Sequence, residues 1–190
     1  MDEVSARRTY LLIDGENLDA TLGVNVLQHR PEPSERPRWE KVLTFTQQLW
    51  EQPVTALFFL NASSGHLPMS FVQALTAIGY RSVPLSGPSD VKVVDVGIQR
   101  TLDAIVPRDA DVVLGSHDVD FLAQMRTLLE TEGRRVALLG FTEYMSTAYS
   151  ELHGAGLDTY DLEHDAKAFT KPLPRIRILD IDDFDPVDFL

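Results

Sequence analysis

The stretch Tyr10–Asn17 reads YLLIDGEN and passes from four apolar residues directly into acidic and polar ones. A continuous apolar run of this length is typical of a strand that is buried on both faces of a parallel sheet. Residues that follow such a strand lie at the carboxyl edge of the sheet, where open α/β folds bind their ligands. Asp14 and Asn17 are therefore predicted to lie at a ligand-binding edge.

Outward from this strand, short apolar runs alternate with segments of helical periodicity. This alternation predicts a parallel sheet with helices packed on its faces. Four more strands are predicted, at residues 54–60, 81–85, 111–114 and 136–139. Helices are predicted at about 38–52, 68–78, 94–105, 119–132 and 146–153, two of them ending at Gly79 and Gly133. We therefore expect an α/β domain with three layers around a mainly parallel central sheet.

Two parts of the chain depart from the alternation. Residues 24–37 contain three prolines and are predicted to be an irregular loop. Residues 166–190 are predicted to extend a domain formed by residues 1–165, with a further strand considered at 176–179.

This extension changes its charge along the sequence. Residues 166–178 contain four basic residues and no acid, whereas residues 180–190 contain five aspartates and no base. The simpler interpretation of residues 180–190 is a solvated tail. The alternative is an acidic tail that competes with nucleic acid for basic residues, or that docks on a protein partner through Phe184, Phe189 and Leu190.

Composition narrows the classes of protein. The chain has 190 residues, no cysteine and a net charge of −12. The lack of cysteine excludes disulfides, thiolate zinc sites and cysteine nucleophiles, and it favours a cytoplasmic location. No apolar stretch approaches the ~20 residues of a membrane span, so no membrane association is expected. The acidic balance argues against a broad basic face, although a nuclease site rich in carboxylates and cations is compatible with it.

Acidic residues recur at two further places in the predicted sheet. Asp118 and Asp120 follow the fourth strand in VVLGSHDVDF, and Asp95 begins a helix in KVVDVGI. Each of them has a structural alternative, because an aspartate at such a position often only caps a helix or a turn. Carboxylates gathered at one edge repel each other unless a cation lies among them, and hard oxygen ligands suit Mg²⁺ or Mn²⁺.

The segments LLIDGEN, KVVDVGI and LGSHDVDF together resemble the NYN family, also called LabA-like, over roughly residues 8–160. That family has a first-strand Asp and Asn, an Asp in a Lys-x-x-Asp segment, and a Ser-Gly-Asp-Ser-Asp-Phe signature. The resemblance implies a PIN-like, Rossmann-like nuclease fold. It implies catalytic residues at Asp14, Asn17, Asp95, Asp118 and Asp120, with the four aspartates as ligands of Mg²⁺ or Mn²⁺.

The same resemblance implies residues that contact the substrate. Lys92 and Ser116 are assigned to the substrate or to support of the site. Independently of the resemblance, the basic residues Arg36 and Arg38 of the proline-rich loop are candidates for contact with the substrate backbone at the rim of the site. His117 stands where the family usually has Gly, a residue that suggests a positive φ or a close approach to ligand. We consider His117 either a steric compromise or an added substrate contact.

The predicted function is a metal-dependent endoribonuclease whose substrate is RNA. Two alternatives stay open: an RNA- or protein-binding module of the same fold with little or no activity, and a phosphohydrolase acting on small nucleotides. The sequence leaves the oligomeric state open, with a homo-oligomer as one alternative.

Overall fold

Six strands form one sheet in which every neighbouring pair is parallel, in the order β3-β2-β1-β4-β5-β6. The computed structural model describes residues 7–176 and 178–190. The strands are Arg8–Asp14 (β1), Val54–Asn61 (β2), Tyr80–Leu85 (β3), Ala110–Gly115 (β4), Val136–Gly140 (β5) and Leu157–Asp161 (β6). The helices are Gly15–Thr21 (α1), Trp39–Leu49 (α2), Met69–Ile78 (α3), Val93–Ile105 (α4), Leu122–Leu129 (α5) and Ser150–His153 (α6).

The helices cover both faces of the sheet, because successive strand residues point to opposite faces. Leu11 and Ile13 of β1 join the apolar cluster that contains residues of α1, α2 and α3, whereas Leu12 joins the cluster of α4, α5 and α6. The same alternation places Val113 of β4 on the first face and Leu114 on the second. The three-layer α/β prediction is confirmed, and the strands near the centre are buried on both sides.

Part of the loop predicted at residues 24–37 is helical. Residues Leu22–Leu27 continue α1 as a π-helix, and Pro33–Glu35 form one turn of 3₁₀ helix. The helix α1 itself was not predicted. Prolines begin only at Pro31, so the segment before it contains no proline to interrupt the helix, and it buries Leu22 and Val26 in the core.

The helix predicted at residues 119–132 is shorter than expected. It opens with a 3₁₀ turn at Val119–Phe121, and α5 ends at Leu129. Gly133 does adopt a positive φ of 74°, but it lies in a turn beyond the helix, where the Arg134 amide donates to the Thr131 carbonyl. The prediction that Gly133 ends the helix is therefore wrong, and this glycine belongs to the turn that follows.

The added strand lies elsewhere than expected. The sixth strand is Leu157–Asp161, which pairs with β5, and the residues described within 176–179 form no strand. Arg177 lies outside the described residues. Ile176 and Ile178 are almost fully exposed, so this segment has no apolar face to bury. The segment LDTYD lacks a run of apolar residues, and for this reason its strand was missed.

Residues 166–175 pack against the rest of the domain. Ala166 and Ala168 lie in the apolar core, and the Arg38 amide donates to the Ala168 carbonyl at 2.6 Å. The boundary at residue 165 stays a prediction. Among residues 7–176 and 178–190, no helix is long and apolar enough to cross a membrane.

Candidate metal centre

The site lies between the two central strands, β1 and β4. Ile13 of β1 pairs with Gly115 of β4, so both strands deliver the residues that follow them to the same edge. From this point the strand order runs outward in both directions, through β2 and β3 on one side and through β5 and β6 on the other. Crevices at such switch points are the usual ligand sites of open parallel sheets.

Three carboxylates meet at this edge. Asp95, Asp118 and Asp120 each offer one oxygen, and these oxygens all lie within 4.8 Å of one another. Asp95 stands in the first turn of α4, and the other two follow β4. Asp118 also caps the 3₁₀ turn by accepting from the Asp120 amide at 2.9 Å, so its structural alternative is correct as well. Capping occupies one oxygen of Asp118 and leaves the other free for a further contact.

A lysine already lies among these acids. The ammonium of Lys92 is 3.4 Å from Asp95 Oδ2 and 3.2 Å from Asp120 Oδ2. Its hydrogen bond to Asp120, with the charges of both acids, raises the pKa of Lys92. Burial and the nearby Asp118 raise the pKa of Asp95, although Lys92 opposes the change. The cluster therefore carries an excess of negative charge that one exposed lysine only partly offsets.

Asp14 lies beneath the cluster and is only 2% exposed. Its Oδ2 accepts a hydrogen bond from Ser116 Oγ at 2.9 Å, and its Oδ1 accepts a hydrogen bond from the backbone N–H of Asn17 at 3.3 Å. Burial raises the pKa of Asp14 to about 6. The two hydrogen bonds oppose this rise, and the charges of Asp95 and Asp118 add to it by smaller amounts. Asp14 thus caps α1 and adds an acid that ionises fully only near neutral pH. Its role as a metal ligand stays a prediction.

Asn17 and His117 form a second layer under the edge. Asn17 Oδ1 accepts from the backbone N–H of His117 at 2.8 Å and lies 3.1 Å from its Nδ1. His117 is 8% exposed, and burial lowers its pKa to about 4, so the ring is neutral at physiological pH. Positive φ angles occur at Gln28, Glu51 and Lys167 among the described non-glycine residues, so His117 imposes no backbone strain of that kind. Its substrate contact stays a prediction, and its burial favours a role in positioning.

The two arginines expected on the rim are engaged in surface ion pairs. Arg36 contacts Asp19 of α1, with Nε at 2.7 Å from Oδ1. Arg38 contacts Glu40 at the start of α2, at 2.6 Å. The structure does not bring either guanidinium into hydrogen-bonding contact with the carboxylate cluster, and their substrate role stays a prediction.

Three contacts at the site were not predicted from the sequence. Gln99 Nε2 donates to the Asp120 carbonyl at 3.0 Å, and the Tyr149 hydroxyl donates to the Asp118 carbonyl at 2.6 Å. The Phe141 amide, just after β5, donates to His117 Nε2 at 2.7 Å. Gln99 was identifiable as the residue one turn after Asp95 on α4, but the other two contacts depend on tertiary packing alone.

The arrangement fits a hard divalent cation. Oxygens of three carboxylates converge, and two of these acids already contact the ammonium of Lys92. The charges of Asp95 and Asp118 also act on the buried carboxylate of Asp14. Carboxylate oxygens are the ligands that Mg²⁺ and Mn²⁺ prefer. Asp95, Asp118 and Asp120 are thus the residues that could hold such an ion.

The chain is similar to a solved structure and to one protein family. A crystal structure of a protein of unknown function from Vibrio parahaemolyticus is similar, with a TM-score of 0.64 and 18% sequence identity, covering 87% of this chain and 98% of that one. At this identity the likeness shows the fold alone. No curated protein matches the chain.

The model of the NYN domain family matches residues 8–155, which include every residue of the site. This family is nuclease-like and forms part of the PIN-like superfamily, whose nuclease domains usually use divalent metals. The chain belongs to the NYN domain family.

Proposed function

We propose that the protein is a metal-dependent endoribonuclease that hydrolyses phosphodiester bonds in RNA. The observation that carries this proposal is the convergence of Asp95, Asp118 and Asp120 within 4.8 Å at the switch point of a PIN-like sheet. Acids so close together repel each other, and a bound cation relieves this repulsion. When bound, Mg²⁺ or Mn²⁺ would supply electrophilic stabilisation of the phosphate and a more acidic water for an in-line displacement.

Lys92 and Ser116, which lie beside the cluster, are proposed to have separate roles. Lys92 is 71% exposed in its side chain and stands at the mouth of the cluster, where it is suited to meet a phosphate of the substrate. Ser116 holds the Asp14 carboxylate in place through its hydroxyl, and the same hydroxyl accepts from the Asp118 amide at 3.1 Å. Ser116 is therefore proposed to orient two of the acids.

The openness of the edge favours a polymeric substrate. The side chains of Lys92 and Asp120 are 71% and 43% exposed, so the outer part of the cluster faces solvent. A small nucleotide is usually held in a concave pocket that encloses its base. An open acidic edge with one flanking lysine suits a backbone that passes across it, which supports RNA over a free nucleotide.

The test is cleavage by the purified protein. Structured and unstructured RNA are incubated with Mn²⁺, with Mg²⁺ and with EDTA, using wild type, Asp120→Asn and Asp103→Asn. Asp103 is an exposed acid further along α4, so its variant is the matched control. We expect cleavage by wild type and Asp103→Asn, a loss of orders of magnitude in Asp120→Asn, and suppression by EDTA.

Other outcomes of this test select the alternatives. RNA binding without metal-dependent cleavage would identify a binding module, and hydrolysis of nucleotides without action on RNA would identify a phosphohydrolase. Cleavage that persists equally in Asp120→Asn would refute the site. A cytoplasmic location and self-association also remain proposals; fractionation and sedimentation measure them directly.

A further inference from the structure

The side chain of Asn17 is held in one orientation. A backbone N–H can only donate, so the Asn17 atom that lies 2.8 Å from the His117 amide must be its carbonyl oxygen. The ring atom Nδ1 of His117 lies 3.1 Å from the same oxygen. Asn17 is half-buried, and within the described ranges its amide nitrogen Nδ2 has no hydrogen-bond acceptor.

The protonation of the His117 ring follows by the same reasoning. The Phe141 backbone N–H donates to Nε2 at 2.7 Å, which requires Nε2 to carry a lone pair. The proton of the neutral ring is therefore on Nδ1, where it is shared between Asn17 Oδ1 and Thr21 Oγ1, at 3.1 and 3.2 Å. Both nitrogens of His117 and the carbonyl oxygen of Asn17 are thus committed to the protein.

The ring of His117 packs closely against its neighbours. The ring stacks on Phe141 with centroids 5.7 Å apart and an angle of 10° between the planes. At Gly140, an added Cβ would come within 2.6 Å of His117 Nε2, so only glycine leaves room for the ring there. The histidine occupies a fitted position between the ends of β4 and β5, beneath the acidic edge.

We propose that His117 is a positioning residue that makes Asn17 a hydrogen-bond donor to a phosphate oxygen of the substrate and prevents it from ligating the metal. The oxygen of an amide is its ligand atom for hard cations, and here two donors of His117 occupy that oxygen. The NH₂ group remains, and it can only donate, so it suits an anionic oxygen. This inference rests on the proposed function and specifies which group binds the RNA backbone.

Two substitutions test the roles of the two ring nitrogens of His117 separately. His117→Asn retains a donor near the position of Nδ1 and loses the acceptor at Nε2. His117→Gln reaches the position of Nε2 and loses the donor to Asn17. Wild type and Asn17→Ala complete the set of four proteins. Each is titrated with Mn²⁺ by calorimetry, with a single-stranded RNA oligonucleotide in Ca²⁺, and in steady-state cleavage with Mn²⁺.

We expect all four proteins to bind Mn²⁺ with the same affinity. We expect RNA affinity to fall about tenfold or more in Asn17→Ala and by a smaller factor in His117→Gln, since a hydrogen bond to a charged group is lost or misdirected. His117→Asn should lose less RNA affinity than His117→Gln, because it keeps a donor near the position of Nδ1, and the cleavage defect of His117→Gln should include a raised KM.

Opposite results overturn the inference. A tenfold loss of Mn²⁺ affinity in Asn17→Ala would make Asn17 a ligand, and equal RNA affinities in His117→Asn and His117→Gln would remove the positioning role. If wild type neither binds nor cleaves RNA, the proposed function fails by itself. The same four proteins are then titrated with inorganic phosphate in Mn²⁺. Unchanged phosphate affinity in Asn17→Ala would also refute the inference.

Discussion

The hydroxyl of Ser116 donates a 2.9 Å hydrogen bond to the buried carboxylate of Asp14, joining the end of β4 to the end of β1. This bond stabilises a carboxylate in a place where burial opposes its charge. The charges of Asp95 and Asp118 also raise the pKa of Asp14, so the buried acid and the acids of the cluster interact electrostatically.

Asp14→Asn should stabilise the metal-free protein at neutral pH. Burial raises the pKa of Asp14 to about 6 from the ordinary 3.8, so the folded state binds its proton more tightly than the unfolded state. The stability contributed by this group therefore falls as pH rises from about 4 to about 6. Each pKa unit corresponds to about 1.4 kcal/mol, so the variant should gain about 1–3 kcal/mol at about pH 7.5.

Urea denaturation at about pH 7.5 and about pH 4 measures this gain. The gain should nearly disappear at the lower pH, where Asp14 is protonated in the folded wild type. Asp103→Asn, with its exposed acid on α4, should change neither value. An equal gain of Asp14→Asn at both pH values would contradict the assigned cause.

Millimolar Mn²⁺ should raise the melting temperature of the wild type. An ion that binds only the folded state stabilises it by about 2.7 kcal/mol at a concentration 100 times its dissociation constant. Asp118→Asn and Asp95→Asn each remove one converging oxygen, so both should shrink the rise strongly. Differential scanning fluorimetry with and without EDTA is the measurement, and an equal rise in all variants would place the ion elsewhere.

Lys92→Ala should strengthen Mn²⁺ binding and weaken RNA binding. The ammonium of Lys92 contacts Asp95 and Asp120, so it competes with a cation for both. Because the lysine is exposed, we expect only a two- to fivefold rise in Mn²⁺ affinity, about the effect of a surface ion pair. Calorimetry and steady-state kinetics report the two effects, with the exposed Lys41→Ala as control. A fall in Mn²⁺ affinity would show that Lys92 supports the ion.

Arg175→Met should destabilise the domain by about 3–5 kcal/mol, because breaking a buried ion network leaves uncompensated charges. The guanidinium is 2% exposed and contacts Asp161, Glu143 and Glu163 at 2.5, 2.5 and 3.0 Å. These contacts hold the pKa of Asp161 well below its ordinary value, although burial opposes them. The surface pair of Arg126 and Glu151 is the control, and Arg126→Met should cost less than about 1 kcal/mol.

The same network tests the predicted boundary at residue 165. A chain that ends at Asp165 loses Arg175 and should melt at least as early as Arg175→Met. A chain that ends at Leu179 keeps the network and should melt like wild type. If both truncated chains melted like wild type, residues 166–175 would be dispensable for the domain, as a boundary at 165 predicts.

Truncation after Leu179 should tighten RNA binding at low salt if the acidic tail competes for basic residues. The aspartates of residues 180–190 are exposed, and so are Lys167 and Lys171, whereas Arg175 is occupied by acids. The gain should fade as salt rises, because such competition is electrostatic. Affinities of both chains at low and moderate salt decide the point. Equal affinities at low salt would leave a solubilising tail, or a tail that docks on a protein partner through Phe184 and Phe189.

Local patterns in the sequence were sufficient to predict five of the six strands of the sheet and the acids of the cluster. The run YLLI before Asp14 and the run before Ser116 predict buried parallel strands, and parallel strands deliver the residues after them to one edge. Tertiary structure alone decided which polar atoms meet there. Asn17 and His117 are 100 residues apart, and the ring is seated by Gly140 and Phe141 of a third strand end. Such contacts leave no periodic signal, because each depends on the register of β1, β4 and β5 after the chain has folded.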